Sequence, residues 1–282
     1  MKKLVLSFVI ISFVLAGCKQ TPKDEQNRQV TVQFTVNSTY SSFLKSTDEQ
    51  DNQIDEIILL GAGITGEIVT IFPPITGAEI TEGKTLTLDN DITALYAVAN
   101  PTTPINPETV SELRSMTSDY SVEPAAPFVM TGFKSANRED ITIDLERAIA
   151  KIEVTGENGF TVTSVKVKNT PDEGYVFPQG TLDVSSFGTT DYTISPYAPI
   201  YVAENTVDNP TTLTISGTYE GVDLDPIDVD FTVNGNLVPI ERNKLYSVTI
   251  RMVIGTERDV NVKMEIKDWD TVEVDTQIIE ID

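Results

Sequence analysis

The chain of 282 residues contains no histidine and a single cysteine. Without histidine there can be no Ser-His-Asp or Cys-His catalytic arrangement, no imidazole metal ligand and no imidazole general base. One thiol cannot form an intramolecular disulfide, so the fold must be stabilised by its own core. The sequence therefore disfavours an enzyme, and it predicts neither a metal site nor a cofactor.

Basic residues are scarce: 20 lysines and arginines stand against 43 acidic residues, for a net charge of −23. Such a surface repels nucleic acid and anionic lipid, so no nucleic-acid partner is expected. The acids are too numerous for any pair to stand out as a glycosidase pair. The acidic run at residues 223–230 lacks the Gly at position six and the Glu at position twelve of a calcium loop. Its alternation with apolar residues favours strand edges interrupted by Pro226.

A glycine motif at residues 61–66, GAGITG, fits the G-x-G-x-x-G pattern of dinucleotide-binding proteins. That pattern binds a pyrophosphate only where a helix follows it. Residues 67–72 are rich in β-branched side chains, and Pro73 and Pro74 come next, which excludes the required helix. The stretch is predicted to be a β-hairpin with a glycine turn.

The N-terminus has the pattern of an export signal. Lys2 and Lys3 precede an apolar stretch at residues 4–15, which is too short to span a bilayer stably. It ends in Leu-Ala-Gly-Cys, with Cys18 the only cysteine, and this resembles a bacterial lipobox. We expect residues 1–17 to be a lipoprotein signal peptide, Cys18 to carry lipid, and residues 18–29 to be a flexible tether. A buried lone cysteine behind an ordinary signal peptide is the alternative.

Period-two alternation of apolar and polar residues dominates the rest of the chain. It predicts strands at residues 30–36, 86–88, 94–98, 141–145, 162–167, 212–216, 229–233, 246–250 and 260–266. Asn234-Gly235 predicts a hairpin turn. One short helix is predicted over residues 107–116, with Asn106 as its cap and Pro107 as its first residue. The fold class is therefore all-β with at most one or two short helices, arranged as two tandem β-sandwich domains of transthyretin-like or Greek-key type, residues 30–146 and 147–282.

Three local patterns lie in the second half of the chain. They are the strand LERAIAKIEV at residues 145–154, the segment VPIERNKLYSV at residues 238–248, and EIKDW at residues 265–269. Each also has a purely structural explanation, because alternating apolar residues pack in any core and a lone Trp commonly fills one. Together they resemble the fimbrillin-like family of Bacteroidales, the type V pilins and their accessory subunits. The residues that carry the resemblance are Arg147, Ala150, Lys151, Ile152, Arg242, Asn243, Tyr246 and Trp269.

This resemblance implies a lipoprotein precursor that is tied to the outer membrane through the lipid on Cys18. A protease then removes the N-terminal segment with its first strand, and a strand from another copy or a related fimbrial subunit fills the gap. The first strand would be residues 30–36, with Val30, Val32, Phe34 and Val36 in the groove. Lys45 is the candidate cleavage site, with Arg28 as second choice. The candidate donor strand is residues 271–282, carrying Val272, Val274, Ile278, Ile279 and Ile281.

The leading hypothesis is thus a structural subunit of a cell-surface fimbria, assembled by protease-triggered donor-strand exchange. The alternative is a lipid-anchored surface protein that binds a glycan or a host or bacterial surface ligand and does not polymerise. Its best candidate platform is the cluster of Tyr192, Tyr197 and Tyr201.

Overall fold

The computed structural model describes residues 27–36, 49–196, 198–254, 258–269 and 277–280. Cys18, Lys45, Tyr197, Val272, Val274 and Ile281 lie outside these ranges. The described part is all-β with two short α-helices, which confirms the predicted fold class. The strands are β1 Arg28–Val36, β2 Glu56–Ala62, β3 Ile68–Ile71, β4 Ile75–Thr76, β5 Lys84–Leu88, β6 Ala94–Ala99, β7 Thr117–Asp119, β8 Met130–Ser135, β9 Asp140–Arg147, β10 Ile149–Glu157, β11 Phe160–Pro171, β12 Glu173–Tyr175, β13 Thr189–Ile194, β14 Ile200–Ala203, β15 Thr212–Tyr219, β16 Val222–Asp223, β17 Ile227–Asp230, β18 Thr232–Val233, β19 Asn236–Leu237, β20 Lys244–Ile254, β21 Arg258–Asp268 and β22 Gln277–Glu280. The helices are α1 Ala78–Glu82 and α2 Val110–Ser115, and a 3₁₀ turn covers Glu49–Asn52.

We call β1–β9 the first group of strands. All of them except β7 form one eight-stranded sheet. Its order is β3-β2-β6-β8-β9-β1-β5, with β4 beside β2. Buried residues from β1, β5 and β9 share one core with residues from β2 and β6 at the other end of this path. The sheet therefore folds over and packs against itself, as the alternating pattern of its strands requires.

We call β10–β22 the second group of strands. All of them except β12, β18 and β19 form two five-stranded sheets. One has the order β14-β10-β20-β21-β22, and the other has the order β13-β11-β15-β16 with β17 also beside β15. A single cluster of buried residues joins the two sheets, which gives a β-sandwich. The acidic run at residues 223–230 falls on β16 and β17, two short strands on the same neighbour, as its alternation predicts.

Each group opens with a strand in the same kind of position. β1 runs parallel to β9 and antiparallel to β5. β10, the first strand of the second group, runs parallel to β20 and antiparallel to β14. The two halves therefore share a local topology that the amino-acid sequence did not reveal as a repeat.

Two predicted turns are confirmed. β2 and β3 form the antiparallel hairpin predicted for the glycine motif. Asn234 and Gly235 connect β18 to β19, and both have positive φ, 52° and 74°. Such φ values suit the twist of a tight hairpin and favour Asn and Gly.

The predicted helix exists, but its start was wrong. Helix α2 begins at Val110, because Thr109 is the N-cap and its side chain accepts a hydrogen bond from the Glu112 N–H. Glu112 in turn accepts a bond from the Glu108 N–H at 2.7 Å. The Thr109 side chain thus satisfies one of the first amide groups of the helix, and Glu112 binds the amide one residue before the cap, so the helix starts after Thr109 and not after Asn106.

The two groups of strands contact each other closely. Only Ala148 separates the end of β9 from the start of β10, and β7 of the first group pairs with β12 of the second. A further core cluster combines residues of β2 and β6 with Ala148, Val176 and Phe177. Among the described residues, none of the helices has the length and hydrophobicity that crossing a bilayer requires.

Candidate functional site

Strand β1 lies between two neighbours and fills the core of the first sheet. Six of its residues pair with β9 and five with β5. Val30 and Val32 are buried, and Phe34 and Val36 pack partly buried against the same cluster. The four residues predicted to plug a groove therefore all face one core.

The arrangement determines what loss of β1 would do. Residues such as Ile141 and Ile143 on β9 and Leu86 on β5 are buried in the cluster that β1 completes. Without β1, two strands would present unpaired N–H and C=O groups over an apolar surface. Such an edge accepts another extended strand, and alternate side chains fix its register.

Arg28, the second-choice cleavage site, is the first residue of β1. It lies opposite Leu88, and its guanidinium donates a hydrogen bond to the Ile92 carbonyl at 2.9 Å. A protease that binds an extended substrate would have to unpair this residue first. Lys45 lies outside the described residues.

Part of the candidate donor strand is placed by the structure. β22 runs antiparallel to β21 and, within the described residues, is the outermost strand of its sheet. Ile279 is in register with Val262, but Ile278 is opposite Lys263 and Gln277 is opposite Met264. The pairing covers four residue pairs, and two of them set an apolar residue beside a polar one, so the register is weakly specified.

A buried group of charged and aromatic residues lies where the two groups of strands meet. We call Asp51, Arg147, Lys151, Tyr201 and Trp269 the charged cluster. Each is at most 9% exposed. The Asp51 carboxylate accepts a bond from Lys151 Nζ at 2.8 Å and from the Tyr201 hydroxyl at 2.6 Å. Buried charges require such partners, because an unpaired one is costly.

Arg147 is the second cation of the charged cluster. Its Nε donates to the Asp51 carbonyl oxygen at 3.0 Å, and one terminal nitrogen donates to Asn243 Oδ1 at 2.9 Å. The other terminal nitrogen donates to Asn52 Oδ1. The guanidinium carbon lies 4.5 Å from the centre of the Trp269 ring. This planar fork uses several donors at once, which a lysine could not reproduce.

Arg242 and Tyr246 are held nearby in the second group. Arg242 forms an ion pair with Glu204 and donates to the carbonyls of Tyr175 and Val176 at 2.8 and 3.0 Å. The Tyr246 hydroxyl donates to the Pro239 carbonyl at 3.0 Å. Burial raises the pKa of this phenol well above its usual value, so it remains a neutral donor.

The structure brings together residues that the sequence presented as three separate patterns. Arg147 and Lys151 come from the first, Asn243 from the second and Trp269 from the third. The Asn243 backbone also joins these patterns: its N–H donates to the Ile149 carbonyl at 2.8 Å, and its carbonyl accepts a hydrogen bond from the backbone N–H of Trp269 at 2.9 Å. Ala150 and Ile152 are buried in the sandwich core of the second group.

Sequence reasoning missed the acidic partners, Asp51 and Glu204. Both belong to a chain rich in acids, and neither stands in a recognisable motif. A segment Glu-Gln-Asp-Asn between two predicted strands reads as an ordinary polar loop. No local signal marks Asp51 as the partner of a lysine 100 positions away.

The tyrosines considered for ligand binding are engaged internally. Tyr201 is part of the charged cluster, and the Tyr192 hydroxyl donates to the Tyr201 carbonyl at 2.6 Å. Burial raises the pKa of Tyr192. Tyr201 is buried, and Tyr192 packs partly buried against the sandwich core. In the part of the chain that the structure describes, no three His, Cys, Asp or Glu side chains group as a metal site would need.

Comparison with known proteins gives one family and a set of related folds. The family described as "Fimbrillin-A associated anchor proteins Mfa1 and Mfa2" matches residues 120–275, more than half of the chain. No curated protein sequence matches.

Solved structures of similar fold come from Bacteroidales species. A fimbrial assembly protein from Parabacteroides distasonis has a TM-score of 0.61 at 16% identity, over 90% of this chain and 100% of the other. The tip fimbrial protein Mfa3 from Porphyromonas gingivalis has a TM-score of 0.58 at 13% identity, over 86% and 100%. A fimbrilin (fimA) from P. gingivalis W83 has a TM-score of 0.58 at 15% identity, over 86% and 98%. At these identities the structures establish a shared fold.

Proposed function

This chain belongs to the family of fimbrillin-A associated anchor proteins Mfa1 and Mfa2, and from that premise we propose that it is a structural subunit of a cell-surface fimbria. It is exported as a lipoprotein precursor, carries lipid on Cys18 in the outer membrane, and joins other fimbrial subunits by exchange of a β-strand. Its work is structural and not catalytic. The observation that carries this proposal is the position of β1 between β9 and β5 over a shared core.

The donated strand comes from residues 271–282. The pairing of β22 with β21 is only four residues long and half of its pairs mix apolar with polar residues, which supports release of β22, since little register-specific contact is lost. An incoming strand that fills the place of β1 would gain two rows of backbone hydrogen bonds and a buried apolar face. That exchange is favourable because β1 is paired on both sides, whereas among the described residues β22 is paired on one side only.

Cleavage at Lys45 fits this mechanism better than cleavage at Arg28. A cut at Lys45 separates β1 from the rest of the chain, whereas a cut at Arg28 would leave β1 in place. The pairing of Arg28 within β1 also protects its peptide bond.

We further propose that the two groups of strands act as two domains, residues 30–146 and 147–282. The separate cores of the folded-over sheet and the sandwich support this division. An anchor subunit would keep its lipid and leave Lys45 uncut, whereas a polymerising subunit would lose residues 1–45. The mass of the cell-surface form distinguishes these two roles.

The experiment that tests the proposal compares three purified chains by electron microscopy. The chain lacking residues 1–45 is expected to form rods, because its groove is open. The chain lacking residues 1–45 and 271–282 is expected to remain monomeric, because it has no strand to donate. The chain lacking only residues 1–17 keeps β1 and serves as the control that does not assemble. Monomers from the first chain, under conditions where related pilins polymerise, would contradict the proposal.

The structure gives no specific support to the binding-protein alternative, since Tyr192 and Tyr201 are engaged internally. A glycan array with wild-type protein and a Tyr197→Ala control would still detect it.

A further inference from the structure

The 3₁₀ turn Glu49–Asn52 is the first described segment after β1, yet its strongest contacts lie elsewhere. Asp51 is 3% exposed, and its partners Lys151 and Tyr201 lie on β10 and β14 of the second group. Its carbonyl and the Asn52 side chain accept hydrogen bonds from Arg147. A segment that precedes β2 to β9 in sequence is therefore held by Arg147 at the end of β9 and by two residues of the sandwich that follows.

We propose that Glu49–Asn52 is a clamp that fixes the chain immediately behind the cleavage segment, so that β1 can leave without loosening β2. This inference rests on the proposed function, in which β1 is removed. The clamp also sets a limit to proteolysis: trimming from a new end at residue 46 stops before Glu49. It thereby defines where the retained subunit begins.

The clamp does not depend on the bonds that β1 makes. β1 pairs with residues 140–145 of β9, whereas Arg147 at the end of β9 is opposite Met130 of β8. The β8 pairing therefore holds Arg147 in place when β1 is absent. Lys151 and Tyr201 are paired with each other across β10 and β14.

The clamp continues into β2 through a second anchor. Asn100 donates from Nδ2 to the Gln53 carbonyl at 2.8 Å and to the Phe128 carbonyl at 2.9 Å. Its Oδ1 accepts the Asp55 N–H at 2.8 Å. The chain is thus bonded at Asp51, Asn52, Gln53 and Asp55 before β2 begins at Glu56, so fraying from the new end is expected to stop at Asp51.

The energetics favour a persistent clamp. Loss of one partner from a buried ion pair leaves the other charge without compensation, which costs far more than loss of an exposed pair. Releasing Asp51 would leave Lys151 Nζ, which lies about 6 Å from the ring centres of Tyr201 and Trp269, with only the partly exposed Glu153 carboxylate at 3.5 Å among its described ion-pair partners. Opening of this segment is therefore rare compared with fraying of an ordinary chain end.

Hydrogen exchange on the full chain tests the clamp, before and after cutting with a lysine-specific protease. In the wild-type protein, amides of residues 49–55 are expected to stay protected in both states, whereas those of β1 lose protection after the cut. Lys151→Met should accelerate exchange of residues 49–55 roughly 100-fold or more, with β20 and β21 unchanged. Lys151→Arg keeps the charge and should retain most of the protection. Lys134→Met, which removes an exposed partner of Asp144, is the matched control.

Two results would overturn the inference: exchange of residues 49–55 at the free-peptide rate in the wild-type chain, or the same rate in Lys151→Met as in wild type. If Lys151→Met fails to fold, Tyr201→Phe replaces it, since that change removes one hydrogen bond to Asp51; an unchanged rate there counts equally against the clamp. The assay requires no polymer. Rods that fail to form beside an intact clamp contradict only the proposed function, and rods that form without protection of residues 49–55 contradict only the clamp.

Discussion

Among single residues, Arg147 joins segments that are far apart in the sequence. It contacts Asp51, Asn52, Asn243 and Trp269, and it is only 1% exposed. Its N–H groups donate hydrogen bonds to backbone and side-chain oxygens that belong to different elements of the fold. The residue therefore acts as a junction between the clamp, the turn before β20 and the end of β21.

Arg147→Met is expected to lower the free energy of unfolding by about 3–5 kcal/mol, because it removes the donor of three acceptors, the Asp51 carbonyl and the side-chain oxygens of Asn52 and Asn243. Arg147→Lys should lose less, about 1–3 kcal/mol, since the charge remains but the fork geometry does not. Urea denaturation followed by the fluorescence of Trp269, the only tryptophan, measures both. The control Lys134→Met should change stability by about 0.5 kcal/mol or less. A loss in Arg147→Met no larger than in this control would refute the assignment.

The sequence identified one side of this junction but not the other. Arg147, Lys151, Asn243 and Trp269 stood out because each sits in a local pattern that resembles a family. Asp51 did not, because ion pairing leaves no local periodicity, and an acid among 43 carries little information. Tertiary packing decides which residues pair across about a hundred positions of the sequence. Local sequence patterns do not predict such pairs.

At the scale of elements, alternation predicted the long strands well. β1, β6, β9, β15, β20 and β21 all appear where the period-two pattern lies. Short strands such as β4 and β12 were not predicted, because two or three residues cannot show a period-two alternation. The start of α2 was misplaced because Asn106-Pro107 and Thr109 are competing start signals, and the hydrogen bond from the Glu112 N–H to the Thr109 side chain fixes the start at Val110.

Strand β21 carries charges that protect it when β22 is absent. Glu265 is paired with both Lys263 and Lys267, the latter at 2.9 Å, in a ladder of alternating sign. Charged residues, and lysine in particular, discourage unwanted strand pairing at a sheet edge. The ladder would thus leave β21 unavailable to a wrong partner once residues 271–282 are donated.

This ladder predicts a pH-dependent contribution to stability. Hydrogen bonds from Lys263 and then Lys267 lower the pKa of Glu265. Because the folded-state pKa is below the unfolded value, the stabilisation is present above the usual carboxyl pKa of about 4.3 and is lost as pH falls through the lowered value. Glu265→Gln should therefore cost about 0.3–1 kcal/mol near neutral pH and nothing once Glu265 is protonated.

Denaturation of the wild type, Glu265→Gln, Lys263→Met and the double variant at neutral and acidic pH checks this expectation. The coupling free energy from this cycle should be favourable at neutral pH and vanish in acid. A coupling of equal size at both pH values would show that the pair acts through packing and not through charge.

At the scale of the whole molecule, net charge opposes the assembly that the fold permits. Each chain carries a formal charge of −23, and the proposed donor segment contains Glu273, Asp275, Glu280 and Asp282 with no basic residue. Two subunits must bring like charges together before any strand is exchanged. In the proposed assembly this repulsion would keep subunits apart before strand exchange, and it would make encounter the slow step at low ionic strength.

We therefore expect rods of the chain lacking residues 1–45 to elongate faster as salt is added. The screening length falls from about 30 Å at about 0.01 M salt to about 8 Å at about 0.15 M, so charges on facing surfaces largely cease to interact. An increase in elongation rate of roughly tenfold is the expected scale, and light scattering at fixed subunit concentration measures it. Neutralising Glu273 and Asp275 together, as Glu273→Gln and Asp275→Asn, should raise the low-salt rate and flatten the dependence. A rate that falls with salt would mean that attraction between complementary patches, and not release from net repulsion, brings the donor strand to its groove.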